Sequence, residues 1–217
     1  MKEKRDYVIQ VDKEHYCDKK YDSLARFINY FYQIDLIRQL DPQSILEIGV
    51  GNKTVSNYLR QQGHNITTCD HDGGLEPDYV ADIRELGFEN GSFDAVMACE
   101  ILEHIPWEDV DKALGELGRV TRRYAVVSIP YSGIPLELLL RIPLLGRIIK
   151  RPFMDLFWMV PRFYSVIKFS GEHYWEMGRK GYPIGRVRKM FEKRFKIVKE
   201  VRPVLDHGHY FFVLEKK

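Results

Sequence analysis

The chain has 217 residues, 45% of them hydrophobic and 29% charged, with a formal net charge of +2. That is enough apolar matter for one sizeable core, and it excludes a low-complexity or disordered chain, while a charge so close to zero says little about partners. Cys17, Cys69 and Cys99 lie far apart without paired spacing, and Met1-Lys2-Glu3-Lys4-Arg5 runs into a polar stretch, so reduced thiols, a cytoplasmic location and no secretory signal are expected.

Residues 1–40 read as an N-terminal arm and a covering helix. The arm from Tyr7 to Lys20 mixes Tyr7, His15, Tyr16 and Cys17 with charges and predicts little regular order. Asp22-Ser23 then caps a helix running to about Leu40, whose apolar set Leu24, Phe27, Ile28, Phe31, Ile34, Ile37 and Leu40 recurs at helical spacing and is expected to face the sheet or the mouth of a site.

Residues 41–217 read as one α/β domain. Ile45-Leu46-Glu47-Ile48 is a strand bounded by Pro42 and by Gly49-Val50-Gly51-Asn52, with a helical pattern from Thr54 to Leu59. Two glycines let the backbone turn tightly and approach a ligand in front of a helix N-terminus, although such turns also arise from packing alone. Asn65 to Asp70 is a second strand, and its terminal acid falls about twenty residues after the glycines, where a ribose-binding carboxylate belongs in a dinucleotide-type fold. His71 to Asp78 is a loop by its Gly and Pro content. Asp78 to Ile83, Ser92 to Glu100 and Ala125 to Pro130 are further strands, the first of them carrying a second acid, Asp82.

This ordered set, Glu47-x-Gly49-x-Gly51, Asp70, Ala81-Asp82-Ile83, Phe93-Asp94-Ala95-Val96 and Glu100-Ile101-Leu102-Glu103-His104, resembles the class I S-adenosylmethionine-dependent methyltransferases, in particular their type 11 small-molecule group. The resemblance runs from about Tyr21 to Lys217. It implies a doubly wound, seven-stranded Rossmann-like sheet with the last strand antiparallel, inserted between the fifth and sixth; Lys196 to Val201 and His209 to Leu214 would supply that closing pair. A dehydrogenase of the same general fold is the main rival. It lacks that ending and leaves Asp82-Ile83 and Glu103-His104 without a task.

The resemblance implies S-adenosylmethionine as cofactor. Glu47, Gly49, Val50 and Gly51 would surround its methionine part, Asp70 its ribose, Asp82 and Ile83 its adenine, with His71 and Cys99 beside it. Lys53 stands where the family usually has a small residue, and either widens the loop, points outward or reaches the cofactor's carboxylate. In the same family an N-terminal arm often serves as a lid. The site should lie at the carboxyl ends of strands four and five, where Glu100, Glu103, His104, Pro130 and Tyr131 fall.

Methyl transfer needs a positioned nucleophile, exclusion of water and at times removal of a proton. His104, Glu100 and His173 are the candidate catalytic residues. His104 leads as a base, because imidazole titrates near neutrality; the alternative is that it caps the next helix or only shapes the pocket. Glu100, Glu103 and His104 at i, i+3, i+4, with His173, resemble the metal cluster of small-RNA ribose 2′-O-methyltransferases. The Glu-x-x-Glu-His pattern also recurs in type 11 enzymes not known for metal, and the expectation is a site without one.

Residues 132–169 are expected to form a helical insertion or lid. The segment is apolar nearly all round but interrupted by Arg141, Arg147, Lys150 and Arg151 and by Pro135, Pro143, Pro152 and Pro161, too often for a spanning helix. Three readings stand: a lid over a hydrophobic acceptor pocket, peripheral membrane contact through 134–168, and a helical hairpin buried on the sheet or in a homodimer interface. His173, Tyr174 and Trp175 are expected acceptor contacts or an aromatic plug. Pro183 to Phe195 is a helix with a basic, solvated face.

The expected function is methyl transfer to a small-molecule or lipid-like acceptor. A nucleic-acid methyltransferase is the alternative, with no RNA-binding module or basic excess to support it. A non-catalytic S-adenosylmethionine-binding protein is a third class.

Overall fold

The computed structural model describes residues 9–142, 153–167, 169 and 172–217. After a short helix α1 (Lys13–Cys17) comes α2 (Leu24–Leu40), whose cap Ser23 accepts a hydrogen bond from the Arg26 amide at 3.3 Å. The sheet begins with β1 (Ile45–Ile48), followed by α3 (Thr54–Gln61), β2 (Ile66–Asp70), β3 (Tyr79–Val80), β4 (Phe93–Cys99), α4 (Val110–Val120) and β5 (Thr121–Pro130). A separate hairpin, β6 (Gly133–Leu140) and β7 (Met154–Pro161), precedes α5 (Ile184–Phe191), β8 (Phe195–Val201) and β9 (His209–Lys216).

Seven strands form one sheet in the order β3-β2-β1-β4-β5-β9-β8, parallel except for β9, which runs antiparallel to both β5 and β8. The doubly wound sheet with its last strand inserted between the fifth and sixth is therefore present. β1 and the middle of β4 and β5 are buried on both faces, so their sequences read as continuous apolar runs instead of alternating ones. One core layer places α4 and α5 against the sheet through Leu114, Leu117, Val187 and Phe191; the other places α2 and α3 through Leu36, Ile37, Val55 and Leu59. The link from β2 to β3 is a single 3₁₀ turn, Gly73–Leu75, in place of a helix.

The buried face of α2 differs from the expected one. Leu24, Phe27 and Phe31 are exposed, while Asn29, Tyr30, Gln33, Leu36 and Ile37 are buried. Gln33, which lines the cleft described below, donates to Asn29 Oδ1 at 2.6 Å, while the buried Asn29 Nδ2 has no hydrogen-bond partner among the described residues.

The helical insertion at 132–169 is corrected: its described strands pair as an antiparallel hairpin, with Leu136 opposite Trp158 and Leu138 opposite Leu156. The reason is a period of two hidden inside an apolar run. Ile134, Leu136, Leu138, Leu156, Trp158 and Val160 point to one exposed face, while Glu137, Asp155 and Phe157 turn to the other. There Arg202, in the β8–β9 connection, bonds Glu137 at 3.0 Å and Asp155 at 2.7 Å and lies 3.7 Å over the Phe157 ring. The readings placed on Met1 to Arg5, Tyr7, Pro143, Arg147, Lys150, Arg151, Pro152 and Lys168 fall outside the described residues. Among the described residues no helix is long and apolar enough to cross a membrane.

Candidate active site

The carboxyl ends of β1, β2, β4 and β5 open into a cleft of about 360 Å³. Toward the glycine turn it is lined by Glu47, Gly49, Val50, Gly51, Asp70 and His71, and Ile83 and Cys99 line it as well. So do Glu100, Glu103, His104, His173 and His209. The structure thus brings eleven of the twelve expected site residues together.

Asp82 is the exception. Its carboxylate is engaged by Arg84, from Nε at 3.3 and 3.2 Å and from Nη2 at 3.1 Å, and it does not line the cleft. An arginine two residues on, in the same turn, outcompeted the interior for that acid.

Gly49 and Gly51 both take positive φ, +85° and +48°. A Cβ on Gly49 would stand 2.0 Å from Ile101 Cδ1, so the turn needs glycine for both its conformation and its packing. The Val50 amide donates to Asp70 at 2.9 Å, and the Asp72 amide donates to the same carboxylate at 3.0 Å. Burial works against charge on Asp70, yet these bonds and that from His71 hold its pKa below the usual value. His71 is raised by its bond to Asp70, although burial opposes this. Glu47 is pushed up to about 8 by burial, only partly offset by Ser56 and Arg60, and its Oε2 has no hydrogen-bond partner.

Lys53 turns away. It caps α3 in the left-handed region (φ 61°), and its amine donates to the Glu76 carbonyl at 2.8 Å, so the lysine points outward and not at the cleft.

Directly after β4 comes Glu100, a non-glycine residue at φ 57°, strain of the kind that gathers at functional sites. Ser128 donates to Glu100 Oε1 at 2.5 Å, and Oε2 lies 3.3 Å from His209 Nε2, whose Nδ1 is 2.7 Å from Asp206. Burial disfavours a charged His209, but Glu100 and Asp206 outweigh it and raise its pKa. His104 follows one 3₁₀ turn later, and burial, reinforced by His173, lowers it to about 4. His173 reaches the site because the Tyr174 amide donates to the Glu103 carbonyl at 2.8 Å and the Met177 amide to the Pro130 carbonyl at 3.1 Å, laying this segment along the end of β5.

Of its neighbours, Trp175 is the plug: fully buried, it donates to the Leu102 carbonyl at 3.0 Å and packs edge-on against Trp107. Tyr174 stacks on Phe169 at 4.1 Å. No described residue of the 133–167 segment lines the cleft; Glu172 and His173 directly after it do.

Sequence reasoning missed the site roles of four residues. Gln10 binds His104 twice, donating to its carbonyl at 3.1 Å and meeting its Nδ1 at 2.7 Å, so the described part of the arm crosses the cleft. Tyr16 and Tyr21 stack edge-on at 5.3 Å over the glycine turn. His209 was readable only as the first residue of a strand; the spacing Asp206-x-x-His209 was the available signal.

Residues 46–129 match the family described as "Methyltransferase domain". No curated protein sequence matches the chain significantly. Among solved structures, the PH0226 protein from Pyrococcus horikoshii OT3 superposes with a TM-score of 0.62 at 13% identity, over 95% of this chain and 100% of that one. Burkholderia thailandensis 1,6-didemethyltoxoflavin-N1-methyltransferase, with bound 1,6-didemethyltoxoflavin and S-adenosylhomocysteine, gives 0.59 at 15% identity over 94% and 84%. Magnesium protoporphyrin IX methyltransferase from Synechocystis PCC 6803, with bound S-adenosylhomocysteine, gives 0.54 at 13% over 89% and 83%. At these identities the structural likeness is one of fold. The matched domain spans residues 46–129, and the sheet order is the one implied by the resemblance to class I S-adenosylmethionine-dependent methyltransferases.

Proposed function

We propose that the chain transfers a methyl group from S-adenosylmethionine to a small-molecule acceptor bound against Glu100, His104 and His173. The observation that carries this reading is the cleft itself, which runs from the glycine turn to these side chains and is crossed by Gln10 and Tyr16 from the N-terminal segment. A covered cleft of about 360 Å³ suits a compact acceptor, and the two solved relatives named above for their methyl acceptors act on small molecules.

The residues present fit the cofactor. Glu47 holds an unpartnered carboxylate oxygen beside the glycine turn, a place for the methionine ammonium. Asp70 offers remaining acceptor capacity for ribose hydroxyls, and buried Ile83 an apolar wall for adenine. When bound, the cofactor supplies a methyl on a sulfonium, whose S–CH₃ bonding electrons stay with sulfur as the new bond to the acceptor forms.

The chain's own work is to orient the nucleophile and exclude water. With its pKa near 4, His104 is a weak base at neutral pH, so its contribution is orientation, together with His173. Glu100, set between Ser128 and His209, is the carboxylate nearest to a proton-holding relay on this side.

A lipid-like acceptor is the second reading, favoured by the exposed apolar face of the β6–β7 hairpin. On this reading the hairpin touches a membrane surface while the acceptor enters the cleft. Incubating the protein and methyl-labelled S-adenosylmethionine with fractionated cell extract tests both: label in polar small molecules supports the first, label in the solvent-extracted lipid fraction the second. Label in RNA alone would overturn both.

A further inference from the structure

The side of α2 that faces the cleft is polar. Arg26, Tyr30 and Gln33, at i, i+4 and i+7, line the cleft, while Leu24, Phe27 and Phe31 are exposed on the other side of the helix. Arg26 stands apart from the other half-buried arginines. Arg84, Arg119, Arg179, Arg188 and Arg202 each bond a carboxylate, those of Asp82, Glu116, Glu176, Glu200 and Glu137 in turn. Among the described residues the Arg26 guanidinium meets no carboxylate and makes no hydrogen bond; it lies over the Tyr21 ring, 4.5 Å from its centre. Tyr21 in turn packs edge-on against His15 at 5.2 Å and Tyr16 at 5.3 Å, so the cation is seated on an aromatic cluster. A guanidinium stays charged at any physiological pH, and its planar fork matches two oxygens of an anion at once.

The cofactor has other donors for its own carboxylate. That group shares a carbon with the ammonium placed at Glu47, and the amides of Gly51 and Asn52, just ahead of α3, meet no acceptor among the described residues. Arg26 is oriented elsewhere. Behind burial, Glu100 and Asp206, its charge also acts on His209, which is 3.3 Å from Glu100 on the acceptor side. The charges that act on Glu47, behind burial, are those of Arg60 and Asp70. Burial pushes Tyr16 up to about 12 and raises Tyr21, so both keep their protons and offer O–H groups to an anion beside the guanidinium.

We propose that Arg26 anchors a carboxylate of the methyl acceptor, which makes the acceptor a carboxylic acid bound as its anion. This rests on reading the cleft as the methyl-transfer site and names the chemical class of its second ligand. One guanidinium in a cleft that also holds Asp70 and Glu100 balances a single negative charge, which suits a carboxylate better than a phosphate dianion.

The test is ligand-observed NMR on the full-length protein saturated with S-adenosylhomocysteine, with benzoate as the carboxylate probe and benzamide as its neutral counterpart of the same shape. Benzoate is expected to bind the parent at least about tenfold more tightly than benzamide does, and at least about tenfold more tightly than it binds Arg26→Gln, with Arg26→Lys between. S-adenosylhomocysteine, titrated by calorimetry, is expected to bind the parent and Arg26→Gln within about twofold. Equal binding of benzoate and benzamide by the parent, or no benzoate binding at all, would overturn the proposal without reference to any variant. So would S-adenosylhomocysteine bound at least about tenfold more weakly by a folded Arg26→Gln, with decarboxylated S-adenosylhomocysteine bound equally by both, because the guanidinium then holds the cofactor's carboxylate. A parent that binds no S-adenosylhomocysteine would contradict the reading of the cleft itself and the proposal with it, whereas a failure confined to benzoate leaves that reading standing.

Discussion

The backbone amide of Val50 donates to the carboxylate of Asp70 at 2.9 Å, so the acid that ends β2 also fastens the glycine turn that follows β1. One residue thus shapes the loop and presents acceptors to the ligand. Replacing Asp70 by Ala strands two amides, those of Val50 and Asp72, and is expected to lower unfolding stability by about 1–3 kcal/mol in urea denaturation.

The Asp70–His71 pair has a pH signature. Asp70, lowered, stabilises the fold above its ordinary value of 3.8 and loses that contribution as pH falls through its lower folded value. His71, raised, stabilises below its ordinary 6.5 and loses that contribution as pH rises through its higher folded value. The stability advantage of the parent over His71→Ala should be greatest between 3.8 and 6.5 and shrink on either side, measured by thermal unfolding across pH.

Glu47 behaves in the opposite way to Asp70. With its pKa at about 8 it keeps its proton in the folded protein at neutral pH, and the parent loses stability as pH climbs from 4.5 toward 8. Glu47→Gln should remove that slope. An ammonium arriving beside Glu47 favours the ionised form, so cofactor binding at pH 7 is expected to release a proton. Calorimetry in buffers of different ionisation enthalpy reads this directly, and the release should vanish in Glu47→Gln.

Gly49→Ala meets two obstacles, the positive φ and the Ile101 side chain. It is expected to cost about 1–3 kcal/mol and to weaken cofactor binding. Adding Ile101→Ala should relieve the clash and leave the backbone strain, so recovery is partial.

Leu136 and Trp158, each 72% exposed and opposite one another on the hairpin, hold no core contact. Leu136→Ser/Trp158→Ser should leave thermal stability within about 0.5 kcal/mol of the parent. If the lipid reading holds, the same variant should lose co-sedimentation with anionic vesicles that the parent shows.

The sheet was legible because buried parallel strands announce themselves as apolar runs, and because Gly49, Gly51 and Asp70 have spacing that backbone geometry dictates. The hairpin was not legible. Leu138-Leu139-Leu140 and Phe157-Trp158-Met159 hide a period of two among residues apolar at nearly every position, and an exposed apolar face defeats the rule that alternation means polar outside. The α2 face was misjudged for a related reason, since Asn29 and Gln33 are buried and share one hydrogen bond while Phe27 and Phe31 are left outside. At the site, positions near a motif were readable, whereas Gln10 and His209 arrive from chain segments distant from it, and only tertiary packing reveals them. Asp82 shows the converse: a residue in the right motif position whose side chain a local arginine engages.

The most direct measurement is a calorimetric titration of the purified chain and of Asp70→Ala with S-adenosylmethionine. Saturable one-to-one binding by the parent is expected, with affinity at least about tenfold weaker in a folded Asp70→Ala, the loss of a hydrogen bond from a charged acceptor being worth more than about 1.4 kcal/mol. No binding by the parent, or equal binding by both, would contradict the assignment of this cleft as the cofactor site.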